Sequence, residues 1–72
     1  MIFNERLKLL RREKNLNQVQ AAEALGLPAR SYQRLESDGA KTHYDTLLLI
    51  ADFYNVSVDW LMGRTEDRIL HR

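Results

Sequence analysis

Four side chains between Ala29 and Arg34 are the place in this sequence suited to recognition chemistry. Ala29 and Gln33 stand four residues apart, as do Arg30 and Arg34, so each pair stacks on one exposed helical stripe. Arginine and glutamine can each form two hydrogen bonds to one base edge in a DNA major groove, and Arg30 is the expected guanine reader. The plainer readings are a phosphate contact or a solvated charge for Arg30, and backbone contacts for Gln33 and Arg34. Hydrolytic or redox chemistry has no comparable pattern. Ser31, Ser37 and Ser57 have no histidine–acid partnership nearby in sequence, and no glycine-rich loop is built to cradle a phosphate. His43 and His71 lie far apart without a ligand pattern, so no metal site is expected. The chain is expected not to be an enzyme and to need no cofactor.

Those side chains require a short helix with a firm back. Leu27, Tyr32 and Leu35 supply the apolar side of a helix over Ala29 to Ser37, and Pro28 suits its start. Before it, Gln18 to Leu25 is helix-friendly, with Ala21, Ala22 and Leu25 on one face. Asn17 is placed to cap that segment, and Gly26 ends it because glycine enters the left-handed conformation without steric penalty. Two short helices joined by a glycine turn make a helix-turn-helix. Around them, Phe3 to Lys14 reads as a first helix with Phe3, Leu7 and Leu10 inward, stopped at Asn15. SDGAK (37–41) reads as a turn. Tyr44 to Tyr54 follows, capped by Thr42 or His43, burying Leu47, Ile50, Ala51 and Tyr54 and ended by Asn55. Ser57 caps a last helix, VDWLM, closed by Gly63. The expected fold is all-α, a compact five-helix domain over 1–63, followed by a polar, loosely held C-terminal tail at 64–72.

At 72 residues there is room for one domain with a small core. The absence of cysteine fits a reducing compartment, and neither a membrane span nor a signal peptide is visible, so a cytoplasmic location is expected. The formal charge of +1 hides an asymmetry. Residues 1–41 carry eight Lys/Arg and five acids, whereas residues 42–63 carry three acids and no Lys/Arg. The basic half contains the proposed reading helix, as a polyanion-facing surface requires.

Three stretches in register, FNERLKLLRREKNLNQ, NQVQAAEALGL and NVSVDWLMG, resemble the Cro/cI-type (Xre-type) helix-turn-helix family, the lambda-repressor-like domain. The resemblance spans Phe3 to Gly63. It implies that Asn17 and Gln18 grip the DNA backbone at the start of the second helix, and that Ala29, Arg30, Gln33 and Arg34 face base edges. It also implies further phosphate contacts from Lys41, Thr42 and His43, with Ser37 placed beside them, and a structural pair between Arg11 and Glu36. Departures from the family pattern are Pro28, in place of a serine or threonine cap, and Ala29, in place of a polar reader. Leu9, Leu49 and Phe53 are apolar where the family tends to charged or small residues.

The function implied is a sequence-specific, double-stranded DNA-binding regulator of transcription, expected to be a repressor, bound to a palindromic operator as a homodimer. Leu49, Phe53, Trp60, Ile69 and Leu70, with Leu9 and Met62, form the candidate self-association surface; scattered surface apolars are the alternative. The competing function is a protein-interaction module on the same fold, such as an antitoxin-like domain that masks a partner. No small-molecule ligand is evident in the sequence.

Overall fold

The computed structural model describes residues 2–37 and 42–69. Among them are five helices and no strand: α1 (Ile2–Glu13), α2 (Gln18–Leu25), α3 (Ala29–Ser37), α4 (Tyr44–Tyr54) and α5 (Val58–Leu61). The all-α expectation and the five helices stand. The turn read at 37–41 lies, beyond Ser37 itself, outside the described residues. No helix among the described residues is long and apolar enough to cross a membrane.

Four of the five helices end in one way. Asn15, Gly26, Asn55 and Gly63 each take a left-handed φ, between 55° and 83°. The residue after each returns a hydrogen bond five positions back: Leu16 to Arg11, Leu27 to Ala22, Val56 to Ala51 and Arg64 to Asp59. These bonds satisfy carbonyls that a helix end would leave unpaired, and Leu16, Leu27 and Val56 then turn toward the core. The connections are therefore short and directed.

The amino ends are less uniform. Asn17 Oδ1 accepts from the Gln20 N–H at 2.7 Å while Gln20 Oε1 accepts from the Asn17 N–H at 2.9 Å, a complete capping box. Ser57 Oγ accepts from the Trp60 N–H at 3.0 Å. On α4 the expected histidine cap does not form through its side chain. His43 holds the capping position without a side-chain cap bond, and its carbonyl alone accepts from Leu47.

The core gathers Phe3, Leu7 and Leu10 of α1, Ala21, Ala22 and Leu25 of α2, and Tyr32 of α3 against Leu47, Ile50, Ala51, Tyr54, Val56, Trp60 and Leu61. The alanines of α2 let α3 approach closely across the turn. Leu27 and Leu35, expected to be buried, are half-buried at its margin, because Tyr32 and Glu36 take the innermost positions of α3.

Two expectations are corrected at the C-terminal end. Residues 64–69 are fastened rather than loose. Arg6 donates to the carbonyls of Trp60 and Thr65 and forks onto the Glu66 carboxylate. The Ser57 N–H donates to the Arg68 carbonyl at 3.0 Å, and Arg68 pairs with Glu13 at 2.7 Å. Trp60, expected on a self-association surface, is 6% exposed. The Arg6 and Arg68 guanidinium groups lie over its ring, 4.6 and 4.9 Å from the centroid, where cation–π attraction holds them. Phe53 is withdrawn in part, packed edge-on against Tyr54 with the Lys14 ammonium over its ring. Leu9, Leu49, Met62 and Ile69 are exposed, and Leu70 lies outside the described residues.

Candidate nucleic-acid interface

Tyr32 and Glu36 decide how α3 presents itself. They are four residues apart, so they lie on one face, and both are sealed, at 0% and 1% exposure. With that face inward, Arg30, Gln33 and Arg34 point to solvent, and their side chains make no hydrogen bond or ion pair with another described residue. Ala29 differs from its expected place on the open stripe. It is half-buried against the core, because the first turn of α3 begins directly after the buried end of α2.

A carboxylate sealed at 1% exposure demands compensation. Arg11 supplies it as a fork, Nε to Oε2 at 2.6 Å and Nη2 to Oε1 at 3.1 Å, while its Nη1 donates to the Leu16 carbonyl at 2.9 Å. Gln18 Nε2 adds a third bond, to Oε1 at 3.1 Å. Burial alone would push the Glu36 carboxyl up. The Arg11 bonds, the neighbouring Tyr32 hydroxyl, the Gln18 bond and the Arg11 charge outweigh it and hold the group below its ordinary value. Burial, and then the neighbouring carboxylate, drive the Tyr32 hydroxyl far above its ordinary value; Tyr54 is raised as well, chiefly by burial. Neither hydroxyl has a well-aligned hydrogen bond. The Arg11–Glu36 pair is thus present and joins α1 to α3, and through Gln18 it also reaches α2.

A second fastening sits one residue on. Asn4 Nδ2 donates to the Ser37 carbonyl at 3.2 Å, closing the carboxyl end of α3 from α1. Sequence reasoning missed Asn4, although a signal existed. It lies seven residues before Arg11, hence on the same face of α1. Arg6 and Arg68, which clasp Trp60, were also missed, since nothing in their spacing marks a shared ring.

The candidate phosphate contacts divide. Asn17 is exposed, but its backbone N–H and side-chain oxygen are engaged in the capping box, which leaves its Nδ2. Helix geometry leaves the N–H groups of Gln18 and Val19 without intrahelical partners, at the positive end of the α2 dipole. Gln18 is half-buried and turned toward Glu36. Ser37 is exposed with its hydroxyl on the Arg34 carbonyl. Thr42 and His43 share a cleft of about 260 Å³ with Pro28 and Ser31, which brings the start of α4 beside the start of α3. Lys41 lies outside the described residues. Among the described residues, no group of three or more His, Asp or Glu is arranged to hold a metal ion.

Comparison with known proteins adds to this geometry. The family model described as "Helix-turn-helix" matches residues 7–61. The uncharacterized HTH-type transcriptional regulator YobD of Bacillus subtilis is 36% identical over 66 residues, covering 92% of this chain and 59% of the relative. The HTH-type transcriptional regulator ImmR of the same organism is 36% identical over 66 residues, covering 92% of this chain and 52% of the relative. The cryptic phage CTXphi transcriptional repressor RstR of Vibrio cholerae is 36% identical over 64 residues, covering 89% and 57%. The chain spans between half and three-fifths of the length of these three curated relatives.

Proposed function

The chain belongs to the helix-turn-helix family whose model matches residues 7–61, and from that premise we propose that it binds double-stranded DNA in a sequence-specific manner and regulates transcription, as a repressor. The relatives whose names state a role are transcriptional regulators, one of them a phage repressor and another, from Enterococcus faecalis, a transcriptional activator. The observation that carries the reading is the state of α3: Arg30, Gln33 and Arg34 stand open on a helix whose back is fastened by Tyr32 and Glu36.

In this reading α3 enters the major groove, where Arg30, Gln33 and Arg34 read base edges and Ala29 offers at most a methyl contact. The start of α2 (Asn17, Gln18), the end of α3 (Ser37) and the stretch Lys41 to His43 meet phosphates, which fix register without specifying sequence. Repression follows from occupying a promoter. Two copies on a palindromic operator would place their reading helices about one turn of DNA apart. Of the candidate pairing surface, Leu9, Leu49, Met62 and Ile69 are exposed and open to such pairing.

Selection from random duplex DNA, followed by titration of the enriched sequence at two salt concentrations, tests this. A regulator selects a narrow set of sequences and loses affinity steeply with salt, by roughly 10³-fold between about 50 and 200 mM for about six phosphate contacts. Inverted symmetry in the selected site reports two subunits. Weak binding alike to every duplex would reject sequence-specific regulation and favour a protein-interaction module.

A further inference from the structure

Glu36 is sealed from solvent, so it can touch no ligand itself. Yet its Oε1 accepts from Gln18, the first residue of α2, at 3.1 Å. An ionised carboxylate only accepts hydrogen bonds, so the Gln18 amide can face it in one sense, with its NH2 group toward Glu36. An amide on the first turn of a helix otherwise rotates freely and offers either end to solvent. Here one Nε2 proton is committed to Glu36 and the other remains for an acceptor. That second proton belongs to the same first turn as the N–H groups of Gln18 and Val19, which lack intrahelical partners.

Charge would ordinarily argue against a carboxylate beside a phosphate-binding turn. Arg11 removes the objection, because its fork cancels the Glu36 charge at 2.6 and 3.1 Å. What Glu36 retains is its directional demand on Gln18.

We infer that Glu36 is a positioning residue for DNA: with Arg11 as its counter-ion, it holds the Gln18 amide NH2-inward so that the second Nε2 proton donates to a phosphate oxygen at the amino end of α2. This rests on the proposed DNA-binding role. The same carboxylate therefore serves both motif helices, holding α3 by the Arg11 pair and aiming the first side chain of α2. Sequence preference is untouched by the arrangement, since a phosphate is met at every step.

A double-mutant cycle tests it on the duplex enriched by selection. Gln18→Ala is measured in the wild type and in an Arg11→Met/Glu36→Met background, which leaves net charge unchanged. Loss of one charge-assisted contact is expected to weaken wild-type binding about tenfold, or ~1.4 kcal/mol. In the Met/Met background the same substitution is expected to weaken binding less than about twofold, because the amide is no longer aimed. Equal losses in both backgrounds, or no loss in the wild type, overturn the inference. If the Met/Met protein does not fold, the Gln18 side-chain amide resonances of the wild type decide. One proton should keep its Glu36-bonded shift on adding duplex while the other moves; a change in the Glu36-bonded proton to a solvated value overturns the inference. Failure of the wild type to prefer any duplex sinks the DNA-binding role itself, and it is seen before any variant is made.

Discussion

Replacing Arg11 by methionine should remove a large share of this domain's stability. The Arg11 side chain is 13% exposed and that of Glu36 is 1% exposed, so the substitution strands a carboxylate in the interior. Removing one partner of such a buried pair costs about 3–5 kcal/mol. The hydrogen bond from Nη1 to the Leu16 carbonyl is lost as well, about 1 kcal/mol more. Against this, a 72-residue domain at ~0.05–0.15 kcal/mol per residue holds roughly 4–11 kcal/mol in all. The single variant should therefore be marginal at best. Arg11→Met/Glu36→Met should regain most of the deficit, because no unpaired charge remains, but not the Leu16 bond. Urea unfolding followed by helical circular dichroism and by Trp60 fluorescence measures both. The pH dependence gives a further check. In the wild type the Glu36 carboxyl is held below its ordinary value of 4.5, so its contribution is complete above that value and is lost as pH falls through the folded-state value. In Arg11→Met the same group is left to burial, which raises it, so the folded variant gains relative stability as it takes up a proton. The gap between the two proteins must narrow in acid. An Arg11→Met protein within about 1 kcal/mol of wild type, a double variant no better than the single, or a gap that widens in acid would each refute the reasoning.

Three other outcomes are expected. Arg30→Ala should cost ~1–3 kcal/mol on the best selected duplex and relax preference at one base pair, whereas equal losses on all duplexes would make Arg30 a phosphate contact. Gly26 and Gly63 both have left-handed φ, but a Cβ at Gly26 meets nothing within 4 Å while one at Gly63 falls 2.9 Å from the Ile2 side chain. Gly26→Ala should then cost about 1 kcal/mol, and Gly63→Ala should lower the thermal midpoint at least as far; the reverse order contradicts the contact. Tyr32 and Tyr54 are both raised by burial, so the unfolded state releases their protons first and stability declines as pH rises above 10. In a Tyr44→Phe protein, which removes the exposed third tyrosine, tyrosinate absorbance should appear together with the loss of helix, and ionisation while the protein is still helical would show that the buried hydroxyls reach water.

The helices were legible because each carries its own boundary signals. α2, α3 and α4 fall on the residues that Asn17, Gly26 and Asn55 indicate, and α1 and α5 differ at their ends by one residue. Capping and left-handed stops are local chemistry, readable from two or three neighbours. The contacts that fasten the bundle join residues far apart in the chain. Spacing says nothing of how Arg6 and Arg68 come to share the Trp60 ring, so residues 64–69 read as a polar tail although they are strapped to α1 and α5. The Arg11–Glu36 pair was accessible only through family resemblance, because 25 residues separate its partners. Ala29 marks the opposite difficulty. The helical stripe assigns it to the open side, and only the closeness of the preceding turn draws it partly inward.

The fastening of α3 has an evolutionary corollary. Its supports enter through Tyr32, Glu36 and the Ser37 carbonyl, while Arg30, Gln33 and Arg34 bear no structural duty toward other described residues. Substitutions at those three positions could alter what the surface recognises without first loosening the scaffold. A lineage carrying this domain can drift from one target to the next through folded intermediates, provided Asn4, Arg11 and Gln18 stay as they are.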